Sequence, residues 1–263
     1  MTLNQKYNPE GSRLRNAQLR MLDMLTFIDE VCNSHDIPYW LDSGTLLGAA
    51  RHGGFIPWDD DTDICMKRTD AEKFKKLMLD EYADKEYILQ CDETDSHSYC
   101  PWYVLRDLKS EYIQDSELHR NRRYRGLQVD IFVVDDNVND SLQILTWKLF
   151  RALVWAPFEG GAFRFLRPLV GLNYCILTKA VFPLFRLLSF GQKDYYKFSY
   201  GSPFKSIRYK STVYPLGRIE FEGRKFNAPA DVNTYLTNIF GNWQRVPDQD
   251  KIVTHDVDVV FFD

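Results

Sequence analysis

The chain has little cysteine, and what it has is scattered: five residues, at positions 32, 65, 91, 100 and 175. An odd number without regular spacing speaks against a disulfide framework and for a reducing, cytoplasmic setting. His97 lies between Cys91 and Cys100, but with one histidine the spacing fits no standard zinc site. Long hydrophobic runs are missing too. No stretch of 18 apolar residues occurs, and the charge-free run 168–178 is too short to cross a bilayer. The first residues lack the apolar centre of a secretion signal. A basic excess is also absent: the net charge is −4, which argues against a nucleic-acid binder. Repeats and low-complexity tracts are not found.

What is present is enough apolar material for a core. Of 263 residues, 44% are hydrophobic and 15% aromatic, which suits one large domain or a domain with a sizeable insertion. The charge is unevenly spread. Residues 141–210 carry eleven Lys and Arg against Glu159 and Asp194, a segment charge of +9 that leaves about −13 elsewhere. The two parts are suited to different partners.

Apolar spacing predicts a helix over 13–35, ended by Asp36 and Pro38. A short buried strand at 39–41 then turns through Ser43-Gly44-Thr45 into a helix from Leu46 to Arg51, stopped by Gly53-Gly54. Residues 64–66 continue a strand that begins among the aspartates. Thr69 is expected to cap a helix over 70–82, with Glu72 as its capping-box partner. Strands are expected at 87–90, 102–107, 112–114 and 127–134. Residues 141–190 read as two or three apolar helices and 191–213 as irregular. A hairpin around Glu222-Gly223 and a helix over 231–240 follow. The alternation indicates an α+β domain on a mixed sheet flanked by helices. The expected organisation is a catalytic core at 1–140, a basic helical insert at 141–213, and a C-terminal part at 214–263 that completes the catalytic domain.

The most informative stretch is 40–64, where Asp59, Asp60, Asp61 and Asp63 stand within five positions at the mouth of an apolar run. Like charges so close repel, and unpaired buried carboxylates are costly, so a divalent cation would resolve both problems. Asp61 and Asp63 alternate; on a strand they share a face and can bind one Mg²⁺ or Mn²⁺ while leaving room for phosphate oxygens. Asp59 lies on the same alternation, as a further ligand or a loop-orienting group. Asp130 sits alone inside the apolar strand Leu127–Val134. Such an Asp needs a partner or a metal, and beside Asp61 and Asp63 it would complete a phosphoryl-transfer site as ligand, general base or both.

Gly44-Thr45, between a strand and a helix, suits close approach of a phosphate, or is a plain helix cap. Arg51 is placed for a phosphate clamp, and His52 either donates to phosphate or caps its helix. Arg106 and Lys109 are candidate phosphate ligands or solvated surface cations.

The run from Leu41-Asp42-Ser43-Gly44-Thr45-Leu46-Leu47-Gly48 through Arg51-His52-Gly53-Gly54-Phe55 to Pro57-Trp58-Asp59-Asp60-Asp61-Thr62-Asp63-Ile64 resembles the signature of the LicD family, which is related to the fukutin group. So do Val129-Asp130-Ile131-Phe132, Phe221–Pro229, and the Tyr235-Leu236 to Trp243 region. The resemblance runs from about residue 15 to 255, and 141–213 is its least typical part. It implies a nucleotidyltransferase-like fold whose metal site is Gly44-Thr45, Asp61, Asp63 and Asp130. It further implies transfer of a phospho-alcohol, phosphocholine from CDP-choline above all, to a hydroxyl of a cell-surface glycan such as lipopolysaccharide, capsule or teichoic acid, with release of CMP. Thr45 replaces the superfamily's frequent Ser, and Asn242-Trp243 stands where many members show Asp-Tyr.

Phosphoethanolamine, glycerol phosphate and ribitol phosphate are alternative cargoes. A nucleotidyltransferase moving NMP from NTP is an alternative reaction, and a binding module without activity is disfavoured because every carboxylate is kept. Choline would need an aromatic cage, for which Trp58, Trp102, Tyr103, Tyr124, Trp155, Tyr209, Tyr214 and Trp243 are candidates. The apolar, basic segment 141–213 suggests peripheral contact with the inner face of the cell membrane or with a glycolipid acceptor.

Overall fold

The structure is a computed structural model and describes residues 2–83, 85–191, 193–254 and 258–262. After a short helix α1 (Leu3–Tyr7), Ser12 accepts the Arg15 N–H and opens α2 (Arg13–Ser34). The three-to-four spacing seen in the sequence becomes its buried face: Ala17, Met21, Met24, Leu25 and Ile28 are fully enclosed. A short strand β1 (Trp40–Leu41) leads into α3 (Ser43–His52), which ends on left-handed Gly53, as expected of a residue without a Cβ. Then come β2 (Asp63–Lys67), α4 (Arg68–Asp80), β3 (Tyr87–Gln90), β4 (Tyr103–Asp107), β5 (Ser110–Tyr112) and β6 (Gln128–Asp135).

β6 organises the sheet. One edge pairs in parallel with β2, which in turn pairs antiparallel with β1. On the other edge β4 pairs with residues 128–131 of β6, and β3 lies beyond β4. Where β4 ends, β7 (Tyr195–Phe198) pairs with Val134 and Asp135 of β6, and β8 (Ile207–Tyr209) adds to β7. Val129, Ile131 and Val134 of β6 are buried; each contributes roughly 1.5–3 kcal/mol relative to exposure. The fold is thus α+β, as the alternation of elements predicts.

A hairpin of β9 (Gly217–Phe221) and β10 (Arg224–Ala228) turns through Glu222 and Gly223, both at positive φ. The helix Val232–Phe240 follows, capped by Asp231. Val259–Phe261 pairs with β5.

The segment after β6 forms two helical runs. The first extends from Asp140 to Glu159, with Asn139 accepting at its N-terminus. Gly160 breaks it, and a second run winds continuously from Gly161 to Leu188. Together they enclose a second core of Val138, Phe150, Val154, Val170, Leu177, Phe182, Tyr99 and Tyr200.

Several expectations change. β2 starts only at Asp63, so Asp59, Asp60 and Asp61 lie in the preceding loop. α4 starts two residues earlier than expected: Lys67 is its N-cap, and no capping box forms at Thr69 and Glu72. Residues 193–213 are not irregular throughout. They supply β7 and β8, so only the part up to Leu188 stands apart from the central sheet. Finally, the short charge-free run 168–178 lies inside one helix of 28 residues, long and apolar enough by length and composition to cross a membrane. Single charges within a helix do not prevent that, which a count of uncharged residues overlooks.

Candidate active site

The parallel register of β2 on β6 sets Asp63 directly beside Asp130, and the Asp130 N–H donates to the Thr62 carbonyl at 2.8 Å. Two carboxylates from distant parts of the sequence therefore stand on adjacent strands, about 4.8 Å apart in backbone spacing. Asp63 itself is fixed from the other side, since the Thr45 hydroxyl accepts its N–H at 2.8 Å. Thr45 is consequently buried and braces the carboxylate strand rather than facing a ligand. Its neighbours Ser43 and Gly44 face the cavity instead.

That cavity has a volume of about 450 Å³. Its lining combines the carboxylates Asp59, Asp61 and Asp63 with the aromatic rings Trp58, Phe132, Phe198, Phe204 and Phe240. Gly44 stands close to the acidic loop. A Cβ there would lie 2.9 Å from Asp59 Oδ2 and 3.8 Å from Asp61 Oδ1, so any side chain would press on the acidic loop. Ser43 takes φ 46°, a left-handed conformation that costs a non-glycine residue energy and clusters at functional sites.

The aspartate loop is pinned by polar contacts. Buried Gln18 of α2 donates to the carbonyls of Asp59 at 2.9 Å and Ile56 at 3.4 Å, and receives the Asn8 amide. Asp60 accepts from the Tyr112 hydroxyl at 2.5 Å, so it supports the loop from outside, as its opposite alternation predicts. The carboxyls that remain are electrostatically stressed. Burial pushes Asp63 well above the usual carboxylate range, and Asp61 and Asp130 push it further. Asp61, at the solvent-facing mouth, is raised by the surrounding protein and by Asp59, Asp130 and Asp60. Asp130 is raised by burial and partly relieved by Arg106. No Lys or Arg among the described residues pairs with Asp61 or Asp63. The donors are hard oxygens lacking a counter-charge, which fits a divalent cation such as Mg²⁺ or Mn²⁺.

The oxygens are not drawn into a closed shell. Among the described residues, the one acidic group whose ligand atoms all lie within 4.8 Å is Cys91, Asp92 and Glu93. That cluster is already neutralised: Lys75 pairs with Glu93 at 2.6 Å, Lys179 with Asp92 at 2.7 Å, and burial raises the Cys91 thiol.

Three expected phosphate contacts are not brought to the cavity. Arg51 donates to the carbonyls of Trp243 and Arg245 and to His52 Nε2, which ties α3 to the C-terminal segment. His52 is lowered to about 4 by burial and by Arg51, so it is neutral at pH 7, and its ring packs edge-on to Trp58. Arg106 is neither a surface cation nor a clamp. It is 1% exposed, donates to Gln90 and the Gly126 carbonyl, and lowers the neighbouring Asp130. Of the proposed aromatic cage, only Trp58 lines the cavity.

The support of the helix start beside the cavity is not marked in the sequence as a whole. Asp42 precedes α3, and with Arg208 it forms a fully enclosed ion pair at 2.5 Å, while Tyr235 donates to it at 2.6 Å and Cys65 at 3.1 Å. Burial alone would raise Asp42, but Arg208 and these donors hold it below the usual carboxylate range. An Asp next to an apolar strand was a visible signal, the same one that marked Asp130. Nothing in the local sequence marked Arg208 or Tyr235.

Residues 36–158 match the LicD/FKTN/FKRP nucleotidyltransferase domain. The chain is 26% identical to the lipopolysaccharide cholinephosphotransferase LicD of Haemophilus influenzae, over 93% of this chain and 96% of that protein. It is 41% identical to the ribitol 5-phosphate transferase FKRP of Mus musculus, over 27% of this chain and 15% of that protein. An uncharacterised protein of Rickettsia prowazekii matches at 26% over 58% of this chain.

Proposed function

We propose that this protein transfers a phospho-alcohol from a CDP-activated donor to a hydroxyl of a cell-surface glycan or its glycolipid precursor, releasing CMP. The observation that carries the reading is the backbone register that sets Asp130 beside Asp63, where Asp63 lines a cavity together with Asp59 and Asp61 and Asp130 stands on the strand behind it. The bound divalent cation would be held by Asp61, Asp63 and Asp130 and would supply charge stabilisation at the diphosphate. The chain's own residues do the rest. Ser43 and the Gly44 backbone offer donors to phosphate oxygens at the start of α3. The acceptor oxygen forms a bond to the distal phosphorus as the bond to the CMP oxygen breaks. The hydroxyl proton passes to a carboxylate, for which Asp130 is the choice. Holding donor and acceptor in line in one cavity removes much of the entropic barrier.

Phosphocholine is the favoured cargo. A quaternary ammonium offers no hydrogen-bond donor and is held by aromatic faces, and Trp58, Phe132, Phe198, Phe204 and Phe240 line the same cavity as the carboxylates. LicD of Haemophilus influenzae is named for choline phosphate and FKRP for ribitol 5-phosphate. The test is a donor screen with CDP-choline, CDP-ethanolamine, CDP-glycerol and CDP-ribitol, read as metal-dependent CMP release. Trp58→Ala is expected to raise KM for CDP-choline and leave CDP-glycerol unaffected. Pyrophosphate release from NTP, with no CMP from any CDP donor, would replace the reading with a true nucleotidyl transfer.

A further inference from the structure

The helix Gly161–Leu188 passes the length and composition test for a membrane span, yet only 17% of its most apolar window is buried. Its two faces differ. On one, Val170, Leu177 and Phe182 are buried in the second core, and Asn173 and Tyr174 donate to the carbonyls of Leu153 and Cys100. On the other, Phe165, Leu169, Leu172, Ile176, Leu184 and Leu187 are 47–76% exposed. They recur at intervals of four, three, four, eight and three residues, so they form one stripe along the helix. Apolar side chains scattered singly over a surface are ordinary; a continuous stripe of six marks a contact surface.

Charge identifies the occupant. The segment 141–210 carries +9, and Arg164, Lys148 and Lys205 are exposed without an ion-pair partner among the described residues. Six of the eleven cations are paired with carboxylates; a second copy would set the exposed unpaired ones against their own kind, whereas an anionic lipid surface complements both the stripe and these cations. The opposite face fixes the orientation. Its hydrogen bonds and core contacts join the helix to the rest of the fold, so crossing a bilayer would strip Tyr174 from Cys100 and Leu177 from its core. We infer that the stripe docks on an anionic lipid leaflet, with the helix lying in the plane of the interface.

The surroundings of the helix continue towards the carboxylates. Gly161 and Phe163 at its start line a groove of about 850 Å³ together with Lys148, Pro203 and Lys205. Along the extended chain 203–206 the residues alternate: Pro203 and Lys205 face this groove, while Phe204 and Ser206 line the carboxylate cavity. The groove and the cavity are therefore neighbours across this segment, and the groove opens at the start of the docked helix. The docking goes beyond the transferase reading and does not depend on it.

The test is vesicle flotation of the full chain, which needs no turnover. Phosphatidylcholine–phosphatidylglycerol vesicles at about three to one are compared with pure phosphatidylcholine. The chain is expected to float with the anionic vesicles, and about tenfold less with the neutral ones or after Leu172→Glu, Ile176→Glu and Leu187→Glu together. Leu187→Glu alone, at the exposed helix end, serves if the triple variant does not fold, with folding judged by thermal melting. Three results would overturn the inference: no flotation of the unaltered chain, equal flotation of the variants, or resistance to alkaline carbonate, which marks a crossing helix. A dimer that the glutamates dissolve, without lipid binding, would assign the stripe to a second copy instead. CMP release with a soluble acceptor is measured in parallel, so loss of docking and loss of the transferase reading are distinguished.

Discussion

Replacing Arg208 by Met tests how the cavity wall is supported. Arg208 and Asp42 are completely enclosed, and the guanidinium reaches both carboxylate oxygens, at 2.5 and 3.3 Å. Removing one partner leaves a charge buried without compensation, which costs about 3–5 kcal/mol. For a domain of this size 1 kcal/mol moves the melting temperature by roughly 2–4 °C, so a fall of about 6–20 °C is expected. Replacing both partners, with Asp42→Asn and Arg208→Met, removes the uncompensated charge. It is expected to recover at least about half of the loss, giving a coupling energy within the range for contacting residues. Tyr235→Phe removes one charge-assisted hydrogen bond and should cost about 1.5–3 kcal/mol. Thermal and urea unfolding of the parent, Asp42→Asn, Arg208→Met and the double variant, in one buffer, supply the cycle. If Arg208→Met melts within about 2 °C of the parent, or if the two losses simply add, the ion pair does not support the site and the reasoning fails.

Other consequences are more direct. Asp63→Asn and Asp130→Asn should each lower CMP release by about a hundredfold or more; Asp63→Asn should melt no earlier than the parent because it removes a stressed like charge, whereas Asp130→Asn also takes a counter-charge from buried Arg106 and should melt earlier; retained turnover in either would exclude it from the reaction. Gly44→Ala inserts a methyl 2.9 Å from Asp59 Oδ2, so turnover should fall while stability changes little, since Asp59 can swing aside; an unaltered rate in steady-state assays would show that the close approach is unimportant. His119, buried, is lowered to about 4 by burial and by Arg106, Arg122 and Arg125. Its neutral form is favoured on folding, so it contributes stability that is full above the unfolded pKa near 6.5 and is lost as pH falls towards 4. His119→Gln should flatten that acid limb of a melting-temperature profile, and an unchanged limb would assign it to other groups.

How much of this was legible in the sequence depends on where partners lie. α2 and β6 were plain because their burial follows a local period. The pairing of Asp130 with Asp63 could be posed only as a condition, since register between strands more than sixty residues apart is not written in either strand. β7 and β8 were missed because each carries a buried cation: Lys197, paired with Asp140, and Arg208, paired with Asp42. Charges inside strands erase the alternation by which strands are recognised. Arg51 and Arg106 looked like ligands for phosphate because a cation near a site invites that reading, but both are spent on carbonyl or amide oxygens of the fold.

The ion pair of Asp42 also sets an order of events during synthesis. Its partners Arg208 and Tyr235 lie 166 and 193 residues further along the chain. At ribosomal rates of about 5–20 residues per second, the Tyr235 partner follows by on the order of ten to forty seconds. The stretch 36–158 that bears the family's carboxylates is therefore complete in sequence long before Asp42 can be neutralised. A nascent chain at that stage holds the acidic residues without the buried cation that braces them, so activity can arise only after the C-terminal segment has closed back on the first helix of the site.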